Sequence, residues 1–182
     1  SVKTYVTQNG DLKAAYGTDY KTAVLHFASF GIKENRVTAP AVDLGTGFKA
    51  KINLTNASLN LSLSGTNVIS YTPSDAAAQI YTFERQSNGS YKLINSKTGQ
   101  VLAVSGDSKT SGANVLIENS DNSNGQRWYI YEYSTGVYML RPVCATGLVL
   151  SVASSSTASM ANVQVDTHTG AAGQKFKITK VA

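Results

Sequence analysis

From about Thr46 onward the chain alternates apolar and polar positions over short segments broken by Gly, Asn, Asp and Ser. Tyr91-Lys92-Leu93-Ile94 and Trp128-Tyr129-Ile130-Tyr131 show the pattern, and a period of two predicts strands with one buried face, joined by tight turns. The first residues read differently. Asn9-Gly10-Asp11 offers cap chemistry for a short helix over Asp11 to Tyr16 that Gly17 stops, and Asp19 caps a second. In that second helix Tyr20, Ala23, Val24, Phe27 and Phe30 fall on one face, and Gly31 ends it. Residues 1–45 are therefore expected to be a small helical hairpin and connector. Two such helices bury too little apolar area to stand alone, so they are expected to pack on the strand-rich body after them.

Within residues 46–182 the pattern repeats. Gln79-Ile80-Tyr81, Gln126-Arg127-Trp128 and Gln174-Lys175-Phe176 each place Gln two residues before an aromatic, at intervals of 47 and 48. Asn67-Val68, Asn114-Val115 and Asn162-Val163 recur at those same intervals, so two independent markers share one period. A third marker precedes them: Ser58-Leu59-Asn60-Leu61, Val101-Leu102-Ala103-Val104 and Val149-Leu150-Ser151-Val152, spaced 43 and 48 apart. The shorter first interval predicts a loop about four residues shorter in the first copy. The chain thus divides into three lobes, about 46–89, 90–135 and 136–182, each with room for four strands. Three such units would not close a propeller ring.

Composition narrows the function. Only 15% of residues are charged, against about 25% in ordinary soluble domains. In their place stand 21 Ser, 18 Thr and 13 Asn. No run of 18 apolar residues is present, so no helical membrane span is expected. The net charge of +5 comes from singly scattered Lys and Arg, which argues against a nucleic acid partner. The lone Cys144 allows no internal disulfide and reads as a small buried hydrophobe in a strand. The chain opens at Ser1 with no signal segment, as expected of a piece of a longer protein, and its polar, low-charge make-up suits a secreted or cell-surface protein of bacteria.

Catalytic constellations are missing from the sequence. There are four Glu and two His, no Gly-x-Ser-x-Gly elbow, no His-Glu-x-x-His and no phosphate-binding glycine loop, so an enzyme is not expected. Asn119 to Gly125 resembles a calcium loop in composition but lacks its Gly and closing Glu, and reads as a polar turn. Neither a metal nor any other cofactor is expected.

The three copies ending in Gln-x-aromatic, with Tyr91 to Val104 and Gly112-Ala-Asn-Val115 in the middle one, resemble the ricin B-type lectin family over about three quarters of the chain. The resemblance implies a mainly β fold, a β-trefoil of three lobes of about 47 residues preceded here by the helical hairpin. That hairpin is itself similar to a short repeat appended to secreted bacterial proteins. Tyr81, Trp128 and Phe176 are then core residues and the Gln residues brace turn backbone.

The resemblance also implies a sugar site in each lobe, made from an Asp before the first loop, an aromatic after the Asn-Val strand, and polar groups on that strand and before the Gln. Those positions read Asn60, Tyr71 and Ala78 in the first lobe, with Gln79 beside them; Ala103, Glu118 and Gly125 in the second; and Ser151, Asp166 and Gly173 in the third, with Gln164 and His168 close by. Every lobe lacks the Asp. The implied function is a non-catalytic module that binds a glycan or polysaccharide and is tethered to further domains of a larger protein. The alternative is a structural or protein-interaction trefoil with degenerate sites.

Overall fold

The computed structural model of the chain describes Asp19 and residues 41–181. The predicted helical hairpin lies outside the described residues. The chain divides between Pro40 and Ala41, so residues 41–45 go with the strands. Val42 N–H donates to the Ile130 carbonyl and Leu44 N–H to the Tyr91 hydroxyl, each at 2.8 Å, and both side chains pack against the core.

The strands are twelve: β1 (Phe48–Leu54), β2 (Asn60–Ser64), β3 (Asn67–Tyr71), β4 (Tyr81–Arg85), β5 (Tyr91–Asn95), β6 (Val101–Val104), β7 (Ala113–Glu118), β8 (Trp128–Ser134), β9 (Val137–Pro142), β10 (Leu148–Val152), β11 (Val163–Thr167) and β12 (Phe176–Lys180). Antiparallel pairing runs β1–β4–β5–β8–β9–β12 and returns to β1, which closes a six-stranded barrel. The other six strands form three hairpins, β2–β3, β6–β7 and β10–β11. Cross-links from β3 to β7, β7 to β11 and Ile69 to Asn162 draw these hairpins into one cap. Each lobe gives two barrel strands and one hairpin, the β-trefoil plan.

Both sequence markers have structural jobs. Tyr81, Trp128 and Phe176 each begin the last barrel strand of their lobe and are fully buried; the Trp128 indole N–H donates to the Leu102 carbonyl at 2.9 Å. The Gln two residues earlier is not on that strand. It ends a single 3-10 turn (Ala77–Gln79, Asn124–Gln126, Ala172–Gln174) and is also buried. There its amide bonds the backbone of the preceding loop: Gln126 accepts from Asp121 N–H and donates to the Asn119 carbonyl, and Gln174 accepts from Thr169 N–H and donates to the Thr167 carbonyl. A loop whose amides have no strand partner needs such a surrogate.

The Asn-Val marker converges where the three hairpins meet. Asn67 donates to Asn162 (2.9 Å), Asn162 to Asn114 (3.0 Å) and Asn114 to Asn67 (2.8 Å), a closed ring of three side-chain amides. Each Asn uses one donor and one acceptor in the ring, which is why the same residue recurs in every lobe. The valine after each Asn points into the core. Cys144 lies in a turn after β9 rather than in a strand and is only half-buried.

Candidate functional site

Strand register decides which residues occupy the family's site positions. Tyr71, Glu118 and Asp166 stand at matching places near the ends of β3, β7 and β11 and pair with Asn60, Val101 and Val149. Two residues further along, Ser62, Ala103 and Ser151 stand opposite Ile69, Leu116 and Gln164. The position given to Asp is therefore Ser62 in the first lobe, and Asn60 lies two residues before it. The cause is the first hairpin, which joins Leu63 to Val68 through residues 64–67, where the others span 105–114 and 153–162. That loop is six residues shorter, not four.

Asn60 has a different role from the expected hydroxyl clamp. It is only 2% exposed, accepts from Asn53 Nδ2 at 2.6 Å and donates to Gln79 Oε1 at 2.9 Å. Gln79 also accepts from Ser74 N–H and donates to the Thr72 carbonyl, and Thr179 donates to Asn53. These bonds form a continuous relay from β12 through β1 and β2 to the loop after Tyr71. Gln79 is buried at its end and braces that loop from below. A side chain placed this way supports the loop after Tyr71, with its amide oxygen and nitrogen both engaged.

Tyr71 itself is 43% exposed at the end of β3. Thr72, Pro73 and Ser74 beyond it are exposed, and the charges nearby are paired: Lys51 Nζ lies 2.6 Å from Asp75 Oδ1, and the ammonium holds that carboxyl below its usual range. An aromatic ring rimmed by hydroxyls and backbone amides, with its local charge neutralised, suits the apolar C–H face of an uncharged sugar.

In the third lobe the structure brings Gln164 and Asp166 together. They share a face of β11, and Gln164 Nε2 donates to both carboxylate oxygens at 2.9 and 3.0 Å. Ser111, from the second lobe's hairpin loop, adds a longer bond to Asp166 at 3.4 Å and accepts from Thr167 N–H. Ser151 is buried opposite Gln164. His168 sits past the strand end, half-buried, and its pKa is pushed down by burial and by the charges of Arg141 and Lys175.

The second lobe holds Ala103 and Glu118, whose carboxylate accepts from Gln126 Nε2. The position before each Gln is steric here rather than polar. Gly125 N–H donates to Asp107 Oδ1 at 2.7 Å and Gly173 N–H to Ser155 Oγ at 3.0 Å, so the long hairpin loops press on both glycines. In the first lobe the short hairpin leaves that space open, and Ala78 fits. Among the described residues no group of three or more His, Cys, Asp and Glu is arranged to hold a metal.

The comparisons with known proteins agree with this geometry. A family model described as ricin-type beta-trefoil lectin domain-like matches residues 50–118, 77–163 and 124–182. The designed threefold-symmetric protein ThreeFoil superposes with a TM-score of 0.70 at 26% identity, covering 73% of this chain and 99% of that one. The ricin B-like lectin of Macrolepiota procera, solved in complex with lactose, gives 0.68 at 20% identity over 77% of this chain and all of that one. An exo-beta-1,3-galactanase from Clostridium thermocellum gives 0.69 at 21% identity, with 74% of this chain spanning 30% of the enzyme. A search of curated protein sequences returns no significant match. Three overlapping family matches together span residues 50–182, which hold all three buried Gln and aromatic markers, and this chain belongs to the ricin-type β-trefoil lectin domain-like family.

Proposed function

We propose that the chain is a non-catalytic carbohydrate-binding module of a larger secreted or surface protein of bacteria, taking neutral glycans through its first lobe. The observation that carries this reading is Tyr71: a large ring, 43% exposed, at the position where the family places its stacking aromatic, on a loop held by the Asn53–Asn60–Gln79 relay. Ser62 lies two residue pairs deeper on β2. The lactose complex of the Macrolepiota lectin and the galactanase that carries a similar region support the ligand class and the tethered arrangement.

Gln164 and Asp166 favour a second, weaker contact in the third lobe. A carboxylate already oriented by an amide can accept sugar hydroxyls, but without an aromatic face it holds them loosely. Weak lobes acting together would give useful avidity on a polymer. The test is a glycan array followed by titration calorimetry on the wild type, Tyr71→Ala and Asp166→Ala. Tyr71→Ala is expected to abolish most binding and Asp166→Ala to lower only the affinity for longer chains. A wild type silent across the array, or binding indifferent to Tyr71, would instead support the structural or protein-interaction trefoil.

A further inference from the structure

Each barrel strand that begins with a buried aromatic carries an equivalent residue four places on: Arg85 on β4, Glu132 on β8 and Lys180 on β12. They lie at the barrel end away from the hairpins, where β4 finishes beside the start of β1. Two of the three are spent within the chain. Glu132 accepts from Gly136 N–H at 3.0 Å, and Lys180 Nζ donates to the Leu44 carbonyl at 3.3 Å over the face of Phe48. Arg85 keeps most of its donors unspent. Its charged partner is Asp43, reached through Nε alone and at 3.4 Å, where an arginine–carboxylate pair ordinarily closes with two parallel bonds of about 2.7–2.9 Å.

Asp43 is itself held from the other side. Its Oδ1 accepts from Gly45 N–H at 2.9 Å and lies 3.5 Å from the Tyr91 hydroxyl. Arg85 Nη2 lies over the β4–β5 turn, 3.7 Å from where a Cβ would stand on Gly89, and neither Nη atom has an acceptor among the described residues. The guanidinium borders a cleft of about 360 Å³ between the lead into β1 and that turn, lined by Asp43, Gly45, Thr46, Arg85, Gln86 and Ser87. This volume falls in the range of small-ligand sites. The cleft holds further open donors: the Ser87 N–H and hydroxyl have no acceptor among the described residues. Thr46 Oγ1 accepts from Arg85 N–H at 3.0 Å and keeps its own proton to donate.

We propose that this cleft is a separate binding site, independent of Tyr71, for the carboxylate of a hexuronic acid. The planar fork of Arg85 takes both carboxylate oxygens, which the point charge of a lysine does not match. Asp43 is a positioning residue: it holds the Nε edge of the guanidinium and leaves the Nη edge free. Apart from this ion pair the walls are hydroxyl, amide and glycine backbone. Those groups bond the hydroxyls of a sugar ring and give a fatty or aromatic acid no apolar surface to cover.

The experiment is titration calorimetry on the full chain with sodium glucuronate and its methyl glycoside, against glucose, acetate and inorganic phosphate. Glucuronate is expected to bind about tenfold more tightly than any of the three comparators, and less tightly as salt is added. Arg85→Gln should remove that advantage while the protein unfolds at the wild-type temperature, and Arg85→Lys should keep only part of it. Asp43→Asn retains the oxygen that Gly45 bonds but loses the charge that repels an anion, so it should tighten glucuronate. Equal binding of acid and glycoside identifies a uronic acid residue within a glycan, whereas binding of the acid alone identifies a free sugar acid. Glucuronate no tighter than the comparators, an advantage that survives Arg85→Gln, or binding that Asp43→Asn weakens overturns the inference. Glucuronate binding lost with Tyr71→Ala and kept with Arg85→Gln puts the acid in the first lobe and overturns it too. Failure of the first-lobe site alone shows as glucuronate binding that depends on Arg85 and is indifferent to Tyr71.

Discussion

Gly173 and Gly125 stand at equivalent places before their Gln braces, yet replacing them with Ala should act through different atoms. A Cβ on Gly173 would lie 2.7 Å from Ser155 Cα and 2.9 Å from the Val152 carbonyl, both backbone. On Gly125 it would lie 2.2 Å from Asp107 Oδ1, the movable end of a side chain, and 3.1 Å from the Val104 carbonyl. Overpacking of a closed site costs about 1–3 kcal/mol, and losing the bond from the Gly173 amide to Ser155 adds about 1. The stiffer unfolded chain of an Ala variant returns about 0.4–1. Gly173→Ala is then expected to lose about 2–3 kcal/mol and Gly125→Ala about 1–2, or very roughly 3 °C in Tm per kcal/mol for a domain of this size. Second substitutions separate the two cases. Asp107→Gly removes the atom that Gly125→Ala strikes and should recover most of its loss in a double-mutant cycle, whereas Ser155→Gly leaves the Ser155 Cα and the Val152 carbonyl in place and should recover no more than the lost amide bond, about 1 kcal/mol. Urea denaturation of the single and double variants measures all four. Equal rescue in both lobes, or a Gly173→Ala protein as stable as wild type, would refute the steric argument.

Two further outcomes are expected. Asn114→Ala breaks two of the three bonds in the amide ring and should cost about 1–3 kcal/mol by urea denaturation, while adding Asn67→Ala should cost less than Asn67→Ala alone, because the ring is already open. Burial, opposed by the Arg141 charge, pushes the Tyr131 phenol from its ordinary 10 up to about 12. The folded state thus keeps a proton that the unfolded chain releases, so stability present below pH 10 should fall by roughly 2–3 kcal/mol as pH rises towards 12. Tyr131→Phe should make that alkaline limb shallower in pH-dependent denaturation, the remainder coming from Tyr81 and Tyr91, whose phenols burial also pushes up.

The period of the fold was legible because its markers are residues with no substitute: an amide that closes a loop and an aromatic that fills the barrel. The first lobe's register was not. Aligning Ser58-Leu59-Asn60-Leu61 with Val101–Val104 is out by two residues, and a slip of two keeps every side chain on its original face. Hydrophobic alternation is blind to such a slip; only the length of the hairpin turn records it, and that is known once Leu63 is seen to pair with Val68. The site reading inherited the slip, which is why Ser62 was passed over and Asn60 credited with a surface role. Tyr71 keeps its expected place at the end of the third strand because that place is counted from Asn67-Val68, on the near side of the turn. The glycines before Gln126 and Gln174 looked like missing polar groups; the loops that press on them are tertiary neighbours.

The pairing of β1 with β12 is what turns six strands into a barrel, and its partners, Ala50 with Lys180 through Leu54 with Phe176, are far apart along the chain. During synthesis β1 must therefore wait with an open edge until β12 has left the ribosome. Every shorter nascent chain exposes an unpaired strand able to capture a neighbour on the same polysome. The barrel's most vulnerable moment thus precedes the emergence of β12, and truncations that remove β12 should be found in aggregates rather than as smaller soluble proteins.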